Sequence, residues 1–430
     1  MSNIQHSWLL LANVAGAFGA RFVNLFTAFL TVPLAVAGLG THDYGIFAVI
    51  LSAATFVTYA DFGMGLAMVN PITVSEARGD AAETRRLISE TWGLLHLIAA
   101  LIFGVGAVLV AANAWHGGRS LAELAPWLVF VVGVAIGLPA AIAQRVLFAL
   151  QRSYEANLWM AAARVASLGC VYLAYQLGAG LWLYVFAMLC VPAVVGWVNA
   201  FWLFRVSRPD LAPHGGASLT TAARLIPEGL RYTVLQIGPY VETGFDIVLI
   251  GALIGTSMTT SYDLLTRAFN YVPALATIGV LPLWPSIAAA RTRGAVAWAR
   301  RVEIIATVLL CGGAAVAVTG IALYHREIVH LWTGQTIAFE TPLIALIACS
   351  AALSSVAALL GSILVGHQKT RSVFLVQVVV VVALTLAKVG VIVPFGILAV
   401  AAANVIALLA KTTWFLALLG AETASRRRDV

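Results

Sequence analysis

Charge is what this sequence has least of. Charged side chains make up 10% of the 430 residues, while 61% are hydrophobic. Soluble domains are about a quarter charged, so this composition excludes a compact fold surrounded by water and requires lipid. Cysteine is scarce too. Cys170, Cys190, Cys311 and Cys349 each sit in an apolar run with no CxxC spacing. That excludes a disulfide framework or a cysteine metal site and leaves buried thiols that pack as small hydrophobes. No Walker A motif occurs, which excludes direct use of ATP. His6, His42, His116, His214 and His367 fall in loops or at span ends without metal spacing, so no metal and no other cofactor is expected. Met1 to Trp8 contains no Lys or Arg. It therefore lacks the basic start of a cleaved signal peptide, and the first apolar stretch is expected to be retained. The net charge of +7 is accounted for by basic loops at a membrane surface, so no nucleic-acid partner is expected.

What is present is length in the apolar runs. A spanning helix needs roughly 20 largely apolar residues, and in lipid every backbone polar group must pair internally. Runs such as Leu97 to Ala112 and Val373 to Ala387 are continuous rather than alternating, which selects helices over a barrel. The reading is an all-α polytopic membrane protein of about twelve transmembrane helices. They fall near 9–36, 44–69, 91–113, 125–149, 156–178, 181–204, 228–254, 259–287, 303–324, 339–365, 372–391 and 393–419. The cuts at 36/44 and 391/393 are the least sharply marked in the sequence.

The loops between these spans alternate sharply in charge. One set carries Arg78, Arg85, Arg86, Arg152, Arg205, Arg208, Arg224, Arg291, Arg293, Arg300, Arg301, Lys369, Arg371 and Arg426 to Arg428. The opposite set carries Arg119 and Arg326. The positive-inside rule then predicts that the first set, and both termini, face the cytoplasm. Trp92, Trp115, Trp127, Trp182, Trp202 and Trp332 near span ends form the expected interfacial belt. Outer loops are short. The largest connections are Pro71 to Glu90 and Val206 to Pro227, both on the basic side, and the second holds Pro209, Pro213, Gly215 and Gly216. It divides the chain into a six-helix lobe over 1–205, a linker over 206–227 and a six-helix lobe over 228–430 with a short basic tail. A weak internal repeat supports the division: Gly38-Leu-Gly-Thr41 and Leu253-Ile-Gly-Thr256 occupy corresponding turns.

Those turns carry more. Arg21 to Asn24, Pro33-Leu34, Gly38-Leu-Gly-Thr-His-Asp-Tyr-Gly-Ile-Phe-Ala48 and Asp61-Phe-Gly-Met-Gly-Leu66 follow one another over the first 80 residues. This stretch resembles the polysaccharide flippases of the Wzx type, in the superfamily that includes the MATE exporters and the MurJ lipid II flippases. The family's pattern there is an LG-x-x-x-YG-x-[FY] turn followed by D-[LF]-G-[LM]. Residue-level resemblance covers about a fifth of the chain, and the six-plus-six plan matches over the rest. MurJ-like proteins usually carry fourteen spans, for which this chain has no room. The resemblance therefore implies an O-antigen, exopolysaccharide or similar repeat unit rather than lipid II. It implies two six-helix bundles around a central cavity that opens alternately to either side of a bacterial inner membrane. The implied cargo is an undecaprenyl-diphosphate-linked oligosaccharide. The implied partners are membrane lipids and the polysaccharide polymerase machinery, with the protein acting as a monomer.

Ionisable residues inside spans are costly, about 2.5 kcal/mol or more at mid-bilayer, and normally face protein or a water-filled cavity. Arg145, Arg231 and Lys411 sit near basic-side ends and Lys388 near the opposite end, positions from which long side chains snorkel to the interface. Arg21, Arg164 and Arg267 lie deeper. Guanidinium binds phosphate oxygens bidentately and stays charged when desolvated, so these three are the candidates for a diphosphate-binding cavity. The bland alternative is that each pairs with a buried carboxylate, and Asp263 stands one turn from Arg267. Asn24 and Asn270, one turn from Arg21 and Arg267, are candidates for sugar hydroxyls or for interhelical hydrogen bonds. The deep acids are Asp61, Glu242, Asp246 and Asp263. Glu242 and Asp246 share a helix face and could hold a coupling proton or sodium ion, or simply neutralise the arginines. Asp61 is suited to capping the end of its span. Pro33, Pro239, Pro273, Pro282 and Pro285 can kink their helices.

The rivals are of other kinds. A MATE-type drug exporter wants a net acidic cavity. A membrane glycosyltransferase or O-antigen polymerase wants a sizeable outer loop, which is missing. A facilitator-superfamily transporter would show a glycine- and arginine-rich signature, and Pro71 to Glu90 does not. The chain is read as a transporter and not an enzyme.

Overall fold

The computed structural model describes residues 2–118, 120–280, 287, 290, 291, 293–336 and 340–426. Arg119, Pro282, Pro285, Arg427 and Arg428, named above, lie outside the described residues. The protein is an all-α polytopic membrane protein, with no strand among the described residues. Its helices are α1 (Ser2–Thr58), α2 (Met64–Ala67), α3 (Val69–Ala77), α4 (Ala81–Gly117), α5 (Leu121–Ala140), α6 (Ile142–Ala149), α7 (Ser153–Gln176), α8 (Leu181–Trp202), α9 (Leu219–Thr243), α10 (Phe245–Leu253), α11 (Thr256–Val280), α12 (Val296–Leu323), α13 (His325–Thr333), α14 (Thr341–Gly366) and α15 (Thr370–Arg426).

Eight helical stretches among the described residues are long and apolar enough to cross a membrane. Two of them, within α1 and α15, are double. Gly40 (φ 73°, ψ 175°) interrupts α1 and Gly396 (φ 70°, ψ −158°) interrupts α15. Only a residue without Cβ takes that backbone conformation at little cost, so each glycine separates two passes. Counting these halves and adding α9 with α10, and α11, gives twelve membrane-length segments among the described residues. The last reversal lies at Gly396 and not at 391/393 as expected. Val391 to Val393 contains no residue that relaxes the backbone, so the helix runs on to the next glycine.

The YGIF stretch after the first reversal is structural. Tyr44 and Tyr184 are fully buried, and Phe47 packs between them with ring centroids 6.0 and 6.4 Å away. A Cβ at Gly38 would fall 1.9 Å from the Tyr184 hydroxyl, so glycine is what admits that ring. In the second half, Gly255 (φ 137°) makes the reversal between α10 and α11. The gap-free Gly-Thr repeat therefore marks the same backbone device in both halves.

The chain forms two compact units, Met1–Thr233 and Val234–Val430. In the first, α1 packs chiefly on α7, α5 on α8, and α4 on α5. Met68, Ile72, Ile88, Ile142, Leu147 and Leu203 are its buried centre. In the second, α14 packs on α15, α11 and α12. The boundary falls inside α9, shortly after the expected linker over 206–227. That segment is fastened to the first unit. Arg208 reaches Glu76 at 2.6 Å, Leu211 is fully buried, and the His214 amide donates to Ser89 Oγ at 2.9 Å. The Thr221 hydroxyl donates to Glu90. Gly93 leaves space for the incoming chain, since a Cβ there would sit 2.4 Å from the Ala217 nitrogen. The other long connection, Pro71 to Glu90, is mostly helical. It comprises α3, a turn at Gly79 (φ 73°) and the start of α4, where Asp80 caps the Glu83 amide at 2.9 Å. The four cysteines are free; Cys190 is buried, but Cys349 is exposed rather than buried.

Candidate functional site

In the first unit two cations of the spanning helices, Arg21 and Arg164, have no partner among the described residues. Asn13 on α1 spans the start of α7, donating to the Gln151 carbonyl at 3.0 Å and accepting from the Tyr154 amide at 2.8 Å. The would-be Cβ of Gly38 lies 3.3 Å from the Tyr175 ring. The two helices therefore run side by side at a nearly constant offset of about 138 residues. In that register Arg21 and Arg164 stand within about five residues of one another, some 7 Å along the axes. Arg21 is half-buried and Arg164 exposed. Neither forms an ion pair or a side-chain hydrogen bond among the described residues. Asn24, one turn from Arg21, is also exposed.

Asp61 does something else. Its Oδ1 accepts the Gly63 amide at 2.8 Å, closing the turn in which Phe62 (φ 49°) and Gly63 (φ 67°) are both left-handed. Gly65 lies between it and Arg145: a Cβ there would be 3.1 Å from Asp61 Oδ2 and 3.6 Å from Arg145 Nε. Asp61 thus caps the end of its span, with Arg145 as the neighbouring cation.

The second unit is the reverse. Arg267 pairs with Asp263 at 2.6 Å, within the helix. Asn270, one turn on, is half-buried. Glu242 and Asp246 are buried, and their cations are lysines rather than the arginines first considered. Lys411 Nζ lies 2.6 Å from Glu242 Oε1, and Gln377 donates to the same oxygen at 3.3 Å. Lys388 Nζ lies 2.5 Å from Asp246 Oδ1 and donates to the Val241 carbonyl at 2.5 Å. Asp246 Oδ2 accepts from Tyr262 at 2.9 Å and from Asn404 at 2.7 Å. Lys388 and Lys411 therefore do not snorkel. Lys388 is 0% exposed, because a buried carboxylate within reach is a stronger partner than a distant interface.

Sequence reasoning assigned Lys388 and Lys411 to the interface and did not single out Gln377 or Asn404. The signal was present in the reversal at Gly396. Lys388 precedes that glycine by eight residues and Asn404 follows it by eight, so an antiparallel hairpin places them at one level. A carboxylate on the neighbouring helix then gathers both. Outside the spans, Arg208 also holds Asp210 at 2.8 Å, and its hydrogen bonds keep the Asp210 carboxyl below the usual range.

The model of the polysaccharide biosynthesis protein family matches residues 10–290. The chain belongs to that family. A stretch of 63 residues, 15% of the chain, is 36% identical to a Yersinia pseudotuberculosis protein whose name describes O-antigen export, and the match spans 14% of that protein's length. Among solved structures, an inward-facing multidrug resistance MATE transporter of the MOP superfamily is similar with a TM-score of 0.71 at 14% identity, covering 93% of this chain and 98% of the other. An outward-facing MATE structure gives 0.61 at 14% identity, over 95% and 96%. A MOP superfamily transporter from Pyrococcus furiosus, described as having a binding pocket of reversed polarity, gives 0.57 at 15% identity, over 96% and 94%. At these identities the likeness speaks for the fold. This family member thus has the fold of a MOP-superfamily transporter.

Proposed function

We propose that this family member is a flippase. It moves a polyprenyl-diphosphate-linked oligosaccharide repeat unit from the cytoplasmic to the outer leaflet of a bacterial inner membrane by alternating access, with both termini in the cytoplasm. The observation that carries the reading is the pair of guanidinium groups, Arg21 and Arg164, that have no partner among the described residues and lie on packed helices inside the membrane-spanning part of the first unit. An unneutralised cation in a spanning helix is costly and has a use where an anionic head group passes. A diphosphate offers the oxygens that two planar guanidinium forks bind. The diphosphate is released unchanged on the other side, so no chemistry is performed on the cargo. A drug exporter for cations fits less well, because the buried acids Glu242, Asp246 and Asp263 are already neutralised by Lys411, Lys388 and Arg267.

The test is complementation in a strain deleted for this gene. Arg21→Ala should abolish surface polysaccharide while the protein accumulates in the membrane at wild-type level, and Arg21→Lys should retain part of the export. Normal export in the Arg21→Ala strain would remove the diphosphate site and the reading built on it.

A further inference from the structure

The lysines of this chain are in unusual places. Of 25 basic residues only Lys369, Lys388 and Lys411 are lysines; the rest are arginines. Two of these three are buried in the second unit, each against a carboxylate. Guanidinium is the usual partner for a carboxylate in a tight pair; ammonium is the compact, point-like cation. A position that takes lysine in a chain otherwise built with arginine is one where size matters.

Two oxygens close on Lys388 Nζ at ligand-like distances. Asp246 Oδ1 and the Val241 carbonyl oxygen both stand at 2.5 Å, close to the 2.3–2.6 Å at which oxygen ligands surround a hard cation such as calcium. A second layer fixes the carboxylate: Tyr262 and Asn404 donate to Asp246 Oδ2 at 2.9 and 2.7 Å. That is the arrangement by which outer partners orient a metal-binding carboxylate. Asn404 is buried, and its Oδ1 has no hydrogen-bond partner among the described residues. Four helical segments contribute, and the pair is closed from solvent, with side-chain exposures of 0% and 1%.

We propose that the Lys388 ammonium is a tethered counter-ion. It fills an oxygen-lined site of cation size in the second unit, so that no sodium ion binds there. Removing the ammonium opens that site to a free monovalent cation. The inference does not depend on the cargo. If the flippase reading holds, its consequence is that the acids of this unit do not couple transport to a sodium gradient.

The experiment is thermal unfolding of the purified full-length protein in detergent, in choline, sodium or methylammonium chloride at equal ionic strength. Wild-type protein should melt at the same temperature in all three. Lys388→Ala should melt lower in choline and recover by about 2–4 °C or more in sodium or methylammonium. Lys388→Ala with Asp246→Asn, which lacks the charge that holds a cation, should not recover. A sodium-dependent rise in the wild type overturns the proposal, as does a Lys388→Ala response no larger than that of the double variant. If Lys388→Ala alone does not fold, the wild-type titration decides: a flat melting temperature supports the tethered ion and a sodium-dependent one rejects it. Because no arm measures export, loss of the flippase reading through Arg21 would leave this result standing, and the reverse also holds.

Discussion

The two units of this protein treat the charges of their spanning helices in opposite ways. In the first unit, Arg21 and Arg164 lie in spanning helices with no carboxylate partner among the described residues. In the second, Glu242, Asp246 and Asp263 are each within 2.6 Å of a basic nitrogen. A buried charge that is paired contributes to holding helices in register, and breaking such a pair by removing one partner costs about 3–5 kcal/mol. A charge left unpaired contributes nothing of that kind, and its cost must be recovered when something anionic arrives. The contrast separates charges that tie helices together from charges available to the cargo proposed above, although both kinds look alike as isolated letters in apolar runs.

Three measurements bear on that contrast, beginning with the largest effect. Lys411→Met strands Glu242 with Gln377 as its remaining donor. It should lower stability by about 3–5 kcal/mol, read as a fall in melting temperature in detergent. Adding Glu242→Gln should restore most of the loss. A Lys411→Met protein as stable as the wild type would erase the distinction between the units. Next, Arg21→Ala and Arg164→Ala should each leave stability within about 0.5 kcal/mol, the ordinary range for a side chain with no partner, while export falls. A large stability loss in either would show that the guanidinium holds the fold together, and would place it with the second unit's pairs. The smallest effect concerns the exposed network outside the spans. Asp210→Asn should cost about 0.2–1 kcal/mol at neutral pH. The carboxyl of Asp210 is held below its usual range by Arg208. Its contribution is therefore fully present above the ordinary value near 3.9 and is lost as pH falls through the lower folded one. The difference between variant and wild type should persist from neutral pH down to about 4 and fade in stronger acid. A difference that disappears near pH 6 instead would assign the effect to another group.

Much of this is legible in the amino-acid sequence. The excess of apolar residues over charged ones demanded lipid, and the long uninterrupted runs demanded helices, because a backbone in hydrocarbon must satisfy its own hydrogen bonds. The Gly-Leu-Gly-Thr turn and the Asp-Phe-Gly segment announced the family, and the structure explains their residues. Gly38 admits the Tyr184 ring, Gly40 reverses the chain, and Asp61 caps the turn at Gly63. These are local requirements of φ, sterics and capping, which is why they leave a mark on consecutive letters. Pairing is not local. Whether Arg267 or Lys411 meets Glu242 depends on which helices pack and in what register, and the relevant residues are separated by 169 positions for Lys411 and Glu242. Lys388 sits near a span end, where an unpartnered lysine would snorkel. Only the reversal at Gly396 and the packing of α10 against α15 turn it inward onto Asp246. Composition and local turns thus decided that the chain spans a membrane and to which family it belongs. The packing of distant helices decided which of its charges are neutralised and which stay free, because an ion pair is made across space and leaves no pattern along the chain.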